Sequence, residues 1–297
     1  MALVGASCNS SKKDGTTGPA AADAKPPRPD AAHAQEEDIP GIELAGLSPD
    51  EQQQFFRILD AAPSPCGKAH SLRVSIKTDP ACKRAPFAAR YVKKLAALGG
   101  GEDEEILAMY KHRYAQEQKP QEFDVTGAPY EGIPDAPVKI VEFFDYSCPH
   151  CKLALPVLED AVAHYPSDVV IHFMHFPLAN AGHPNSMFLA RAAVAAMKQG
   201  KFREMHKKLF AAQDKDQTEP AIKQIAKDVG LDMARFEVDY NDPKTVAFIE
   251  AQRKQAEEAK IDGTPAIYIN GRTYTDPHEF EWLKSWIDEE IAVKGKQ

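Results

Sequence analysis

Residues 138–165 read VKIVEFFDYSCPHCKLALPVLEDAVAHY, and the rest of the chain is placed around them. Val138 to Tyr146 is a β-branched and aromatic run closed by Ser147, the pattern of a buried strand. Cys148-Pro149-His150-Cys151 follows at once. Leu158, Ala161, Val162 and Tyr165 then fall at i, i+3, i+4 and i+7, one face of a helix. Two cysteines therefore sit where a strand turns into a helix, with Cys148 at the helix N-terminus.

That position has chemical consequences. The first N–H groups of a helix lack intrahelical partners, and its dipole is positive there, so an anion is stabilised. A thiol at such a site ionises at roughly pH 3.5–7.5 instead of about 8.5. His150, when protonated, would add a positive partner. Cys151, one turn further on, is expected to be more buried and to act as the resolving thiol. A stabilised thiolate favours the reduced pair and makes the disulfide form an oxidant.

A second motif lies far downstream. GTPAIYINGR, residues 263–272, reads as a loop, a strand at Ala266 to Ile269, an Asn270-Gly271 hairpin turn and a return from Arg272 to Thr275. A final helix is expected over Pro277 to Ala292, with Phe280, Leu283, Trp286, Ile287 and Ile291 inward. Together, EFFDYSCPHCK and GTPAIYINGR resemble the active site of the DsbA-like branch of the thioredoxin superfamily. Pro156 matches the proline that kinks the first helix of that fold. The resemblance covers about residues 122–295 and implies an α/β thioredoxin fold with a helical insertion. The insertion falls in NSMFLARAAVAAMKQ, KFREMHKKLFAAQ, EPAIKQIAKDVG and PKTVAFIEAQRKQAEEA, after the strand in DVVIHFMHFPL.

The same resemblance implies roles. Cys148 and Cys151 would be the redox pair, with Pro149 and His150 between them. Pro265 would carry a cis peptide bond facing the dithiol, and Thr264 would offer its backbone to an extended substrate, as in strand addition. Glu142 stands where such proteins place a buried acid, which could pass a proton to or from Cys151. Its other reading is a half-exposed strand carboxylate. His172 and His175 are either ordinary strand residues or polar neighbours of Glu142. No cofactor beyond the redox-active disulfide is implied. The implied partners are unfolded or partly folded secreted proteins and a membrane redox partner.

Upstream, residues 41–118 read as a small all-α domain. Ser48-Pro49-Asp50 starts one helix. A second is expected from Pro86 to Leu98 and a third from Glu102 to Ala115, with a loop bearing Cys66 and Cys82 between the first two. AARYVKKLAALGGGEDEEILAMYKHRY resembles part of the small helical domain of CcmH-type cytochrome c maturation proteins, whose upstream CxxC this chain lacks. Cys66 and Cys82 are expected to form a structural disulfide. A free pair, or a metal site with His70, are the alternatives.

Residues 9–40 are rich in Ala, Pro and charge and suit a flexible tether. Residues 1–8, MALVGASC, resemble the end of a bacterial lipoprotein signal, with Cys8 as the lipidation site and Gly5 as a departure. Too few residues precede Cys8 for a whole signal, so this reading requires more chain upstream. The alternative is an idle thiol on a loose tail. The expectation is a periplasmic, membrane-anchored lipoprotein, held to the membrane by its lipid alone.

Composition narrows the classes. Of 297 residues 43% are apolar and 27% charged, which excludes a collagen-like or wholly disordered chain. A net charge of -8 disfavours a general nucleic-acid binder. Five cysteines are too few for a disulfide-built scaffold. The favoured function is disulfide formation. The alternatives are a disulfide isomerase or reductase, toward which Thr264 leans, and a Cu- or Zn-binding envelope protein using Cys148, Cys151 and a nearby histidine.

Overall fold

The computed structural model describes residues 39–99, 101–114, 120–178, 182–215 and 217–295. Cys8 and most of the expected tether lie outside the described residues. The packed chain begins earlier than expected, because Ile39 bridges to Ile42 and is buried.

Four helices come first: α1 (Pro49–Ala61), α2 (Leu72–Thr78), α3 (Ala85–Ala97) and α4 (Asp103–Tyr114). Ser48 caps α1 in a capping box with Glu51, and Phe55, Phe56, Ile58 and Leu59 form its buried face. The expected loop between the first two helices contains α2. That helix is seven residues long and buries only Leu72 and Ser75, too little for a periodic signal. A Cys66–Cys82 disulfide spans it.

The sheet follows, with β1 (Tyr130–Gly132), β2 (Val138–Phe144), β3 (Val169–His175), β4 (Ala266–Ile269) and β5 (Arg272–Thr273) in the order β1-β3-β2-β4-β5. Only β2 and β3 run parallel, and every other neighbouring pair is antiparallel. Between β2 and β3 lies α5 (Pro149–His164). Between β3 and β4 lie α6 (Ser186–Met197), α7 (Phe202–Ala211), α8 (Glu219–Asp228), α9 (Met233–Asn241) and α10 (Pro243–Glu258). The last helix is α11 (Phe280–Lys294). It starts later than expected, because Pro277 to Glu279 form a turn in which the Tyr274 hydroxyl donates to the Pro277 carbonyl. The α9 helix, capped by Asp232, was not anticipated.

Both faces of the sheet are covered. Ile140, Phe144, Ile171 and Phe173 pack into the cluster that holds Leu158 of α5 and Leu283 and Trp286 of α11. Val141, Phe143, Met174 and Tyr268 pack on the other side with Ala256 of α10. Two glycines are required by geometry. At Gly132 a Cβ would lie 2.2 Å from the Val169 carbonyl oxygen. At the hairpin, Asn270 and Gly271 both have positive φ, and a Cβ on Gly271 would lie 2.5 Å from the Gln121 carbonyl oxygen.

The N-terminal helices join the sheet through buried charge. Arg113 of α4 donates to Asp276 at 3.1 Å and to Glu289 at 2.9 Å. Arg84 pairs with Glu289 and Glu290, and Arg272 reaches the same two carboxylates at 3.0 and 2.7 Å. Although burial pushes the Glu289 carboxyl up, Arg113, Arg272 and Arg84 together hold it below its ordinary value.

Candidate active site

The strand β2 ends at Phe144, and after three intervening residues Cys148 is the N-cap of α5. The turn between is braced from within. The Cys148 N–H donates to the Asp145 carbonyl at 3.0 Å, and the Asp145 side chain accepts from the Ser147 N–H at 2.8 Å. The other Asp145 oxygen accepts from the Leu178 N–H and the Ser186 hydroxyl, and His183 Nδ1 lies 3.0 Å away. From beyond α7, Gln213 donates both amide hydrogens, to the carbonyls of Tyr146 (2.7 Å) and Cys148 (2.9 Å). Sequence reasoning passed over Asp145 and Gln213. The acid at the end of an apolar strand was a legible signal for the first. Nothing local marks Gln213, which lies 65 residues from Cys148.

Cys148 and Cys151 are free thiols, 5% and 1% exposed, while Pro149 and His150 are exposed. The Thr264–Pro265 peptide bond is cis, and Cys148 Sγ lies 3.1 Å from the Thr264 carbonyl oxygen. Two segments more than a hundred residues apart therefore meet at one sulfur. The Cys151 thiol, as hydrogen-bond donor, brings the Cys148 pKa down to about 5, helped by the Thr264 side chain and the N–H groups of Cys151 and His150, against burial. Burial drives the Cys151 thiol far up, and the hydrogen bond to Cys148 adds to this.

Glu142 is 2% exposed, which excludes the half-exposed reading. Burial, and then the charge at Cys148, raise its pKa to about 8. Among the described residues its Oε1 has no hydrogen-bond partner, which leaves the burial of that oxygen uncompensated. His172 sits on the opposite face of the sheet, beside Tyr130. His175 shares the face of Glu142, but both its ring nitrogens are buried without partners, and burial lowers its pKa to about 3. Among the described residues no cluster of three or more His, Cys, Asp or Glu side chains is arranged to hold a metal ion.

A cysteine capping a helix, a buried second cysteine, a buried acid on the neighbouring strand and a cis proline opposite are brought together on a five-stranded sheet, an arrangement able to exchange a dithiol for a disulfide. Residues 124–289 match the family described as thioredoxin, more than half of the chain. The chain belongs to the thioredoxin family, and its insertion of helices between β3 and β4 is that of the DsbA-like members. A thioredoxin-like oxidoreductase from Silicibacter pomeroyi is 31% identical, with a TM-score of 0.50 over 57% of this chain and 94% of that one. The oxidised BdbD of Bacillus subtilis shares the fold with a TM-score of 0.51 over 60% of this chain and 97% of that one, at 24% identity. The thiol:disulfide interchange protein DsbA of Bordetella parapertussis is 29% identical over 54% of this chain and 77% of its own length. A Na(+)/H(+) antiporter NhaA 1 of Mycobacterium sp. (strain KMS) is 36% identical over 49% of this chain. This chain spans only 24% of that protein, and no described helix is long and apolar enough to cross a membrane.

Proposed function

We propose that this chain is a thiol–disulfide oxidoreductase of the bacterial envelope that forms disulfides in secreted or periplasmic proteins through Cys148 and Cys151. The observation that carries the reading is a pair of free, buried sulfurs at the head of α5, the first of them 3.1 Å from the Thr264 carbonyl oxygen of the cis Thr264–Pro265 loop, in surroundings that push their pKa values in opposite directions. In the oxidised enzyme a substrate thiolate attacks Cys148 Sγ. The Cys148–Cys151 bond breaks, and Cys151 leaves as an anion that takes the proton of Glu142, a carboxyl that burial keeps protonated above its ordinary range. A second substrate thiolate then attacks the substrate sulfur of the mixed disulfide. Cys148 departs as a stable thiolate. Two electrons have moved from the substrate to the enzyme dithiol, and the substrate carries the disulfide.

The clients in this reading are unfolded or partly folded secreted proteins, gripped through the backbone of Thr264 with little demand on their side chains. A membrane redox partner reoxidises the dithiol. Cys8 would tether the enzyme to the membrane by a lipid, and residues 9–40 would give it reach. The Silicibacter oxidoreductase and the Bordetella interchange protein support dithiol chemistry by relation. Thr264 supports a second direction, isomerisation or reduction, on the same site.

Oxidation of a reduced, unfolded protein tests the reading. The wild type accelerates it, Cys148→Ser abolishes it, and Cys151→Ser accumulates the mixed disulfide. An unaffected Cys148→Ser variant would end the proposal. The direction is read from the reduction potential. An oxidant lies well above the value of about −270 mV that marks a thioredoxin-like reductant.

A further inference from the structure

The helical insertion takes no part in the exchange steps above, yet it holds the turn that presents Cys148. That turn joins β2 to α5 through Asp145, Tyr146 and Ser147. On one side the buried Asp145 carboxylate accepts from the Leu178 N–H (2.9 Å) and from the Ser186 hydroxyl at the head of α6 (2.8 Å). On the other side stands α7. Its His206 Nδ1 lies 2.8 Å from the Tyr146 hydroxyl, and the centre of its Phe210 ring lies 4.9 Å from that of Tyr146. His206 and Phe210 are one helical turn apart, so the Tyr146 side chain seats the end of α7 against the turn.

Gln213 follows directly from that end, its N–H donating back to the Phe210 carbonyl at 3.2 Å. Its side-chain amide gives one hydrogen to the Tyr146 carbonyl at 2.7 Å and the other to the Cys148 carbonyl at 2.9 Å. The Cys148 carbonyl also accepts the first bond of α5, from the Lys152 N–H, but at the longer distance of 3.3 Å. One planar amide therefore ties the backbone before Ser147 to the backbone after Cys148. The next residue, Asp214, pairs with Lys152, but its side chain is 84% exposed, where such a pair is worth little.

We propose that Gln213 is a positioning residue of the dithiol site, whose amide clamps the backbone around Cys148 and so fixes where the attacking sulfur stands once the Cys148–Cys151 bond is open. The argument is one of torsions. Cys148 has φ −82° and ψ 118°, the extended conformation of an N-cap, which turns a side chain toward the free N–H groups of the first helical turn. Rotation of Cys148 to helical values would swing its sulfur away from those groups and from the Thr264 carbonyl, 3.1 Å off. Both torsions lie between the two carbonyls that Gln213 holds, so the amide resists that rotation. In the disulfide, the bond to Cys151 already restrains the sulfur. In the dithiol that restraint is gone and the clamp remains. Gln213 therefore favours the reduced thiolate over the disulfide and makes the pair a stronger oxidant. Through one side chain, the insertion acts on the reactivity of a sulfur it does not touch.

The inference deepens the functional reading and rests on Cys148 being the attacking sulfur. The test is the pH dependence of Cys148 alkylation by iodoacetamide in the reduced full chain, together with the dithiol–disulfide equilibrium against glutathione. Gln213→Met keeps the length of the side chain but removes both donors. It is expected to move the alkylation midpoint up by roughly half a pH unit and to disfavour the reduced form by about threefold, the same free energy. Gln213→Asn keeps the donor on a shorter arm and should retain one of the two bonds, with a smaller shift. Asp214→Ala should leave the midpoint in place; a shift as large as that of Gln213→Met would transfer the role to the charge pair and overturn the proposal. A merely structural Gln213 would lower the melting temperature and leave midpoint and equilibrium unmoved, which would also overturn it. Protein-thiol oxidation is measured in parallel. A midpoint that follows Gln213 in a chain without oxidase activity would break the functional reading and uphold this one, and an active oxidase with an unmoved midpoint would do the reverse.

Discussion

Glu142 sits under the dithiol on β2, and Glu289 lies in the seam where α11 meets α3 and α4. Neither exposes more than 2% of its surface. Burial pushes both carboxyls toward the protonated form. Glu289 meets Arg84, Arg113 and Arg272, so it stays charged and binds two parts of the chain together. Among the described residues Glu142 pairs with no cation, and burial together with the Cys148 charge raises its pKa to about 8. Burial alone decides nothing about a carboxylate. The partner decides whether the group holds structure or moves protons.

The sharpest way to break this comparison is to remove the cation from the seam. Arg113→Met leaves Glu289 and Asp276 short of a guanidinium and should cost about 3–5 kcal/mol in urea unfolding. A cost of about 1 kcal/mol or less would reduce the seam to the worth of a surface pair. The sign with pH follows from the lowered Glu289 pKa. Its stabilisation is present above the ordinary carboxylate range and is lost as pH falls from that range through the lowered folded value.

Within the helical unit, replacing Cys66 and Cys82 together by Ala reopens a closure spanning a sequence separation of 16 residues. The expected loss is about 3 kcal/mol by chemical denaturation. The exchange rate per folded molecule should not change, because the bridge only closes the chain around α2 and takes no part in the exchange steps.

Glu142→Gln probes the other side of the comparison. The step that releases Cys151 should slow about a hundredfold in stopped-flow exchange. Stability should move the opposite way. The raised pKa means that the wild type loses stability as pH climbs from the ordinary carboxylate range through about 8, and the Gln variant escapes that loss. A variant that is slower and less stable at pH 8 would show that Glu142 has a hidden cation partner.

The smallest effect concerns His175, another buried group without a partner. Its pKa of about 3 means that the folded protein refuses a proton the unfolded chain accepts below about pH 6.5. His175→Phe should therefore gain about 1–2 kcal/mol at pH 5 and little at pH 8, read from thermal unfolding at the two pH values.

Much of this was legible in the residues themselves. The strand-to-helix junction at Cys148, the hairpin at Asn270-Gly271 and the capped start of α1 each rest on a few neighbouring residues whose local preferences agree. Glu142 was legible as a candidate from its place before the dithiol. The missed elements are the short helices α2 and α9 and the three-residue edge strand β1, whose formation leans on tertiary packing more than on their own periodicity.

Sequence alone determined that one cysteine would stand at the head of α5 and a second one turn further on, because a strand end followed by a Pro-initiated helix is a property of the local chain. Tertiary structure alone decided which buried acid would be charged. It also decided that Gln213 would brace the dithiol turn and that α3 and α4 would grip Asp276. Those outcomes depend on which distant groups meet within hydrogen-bonding distance. No local pattern encodes such a meeting, since the partners are set by how the helices pack.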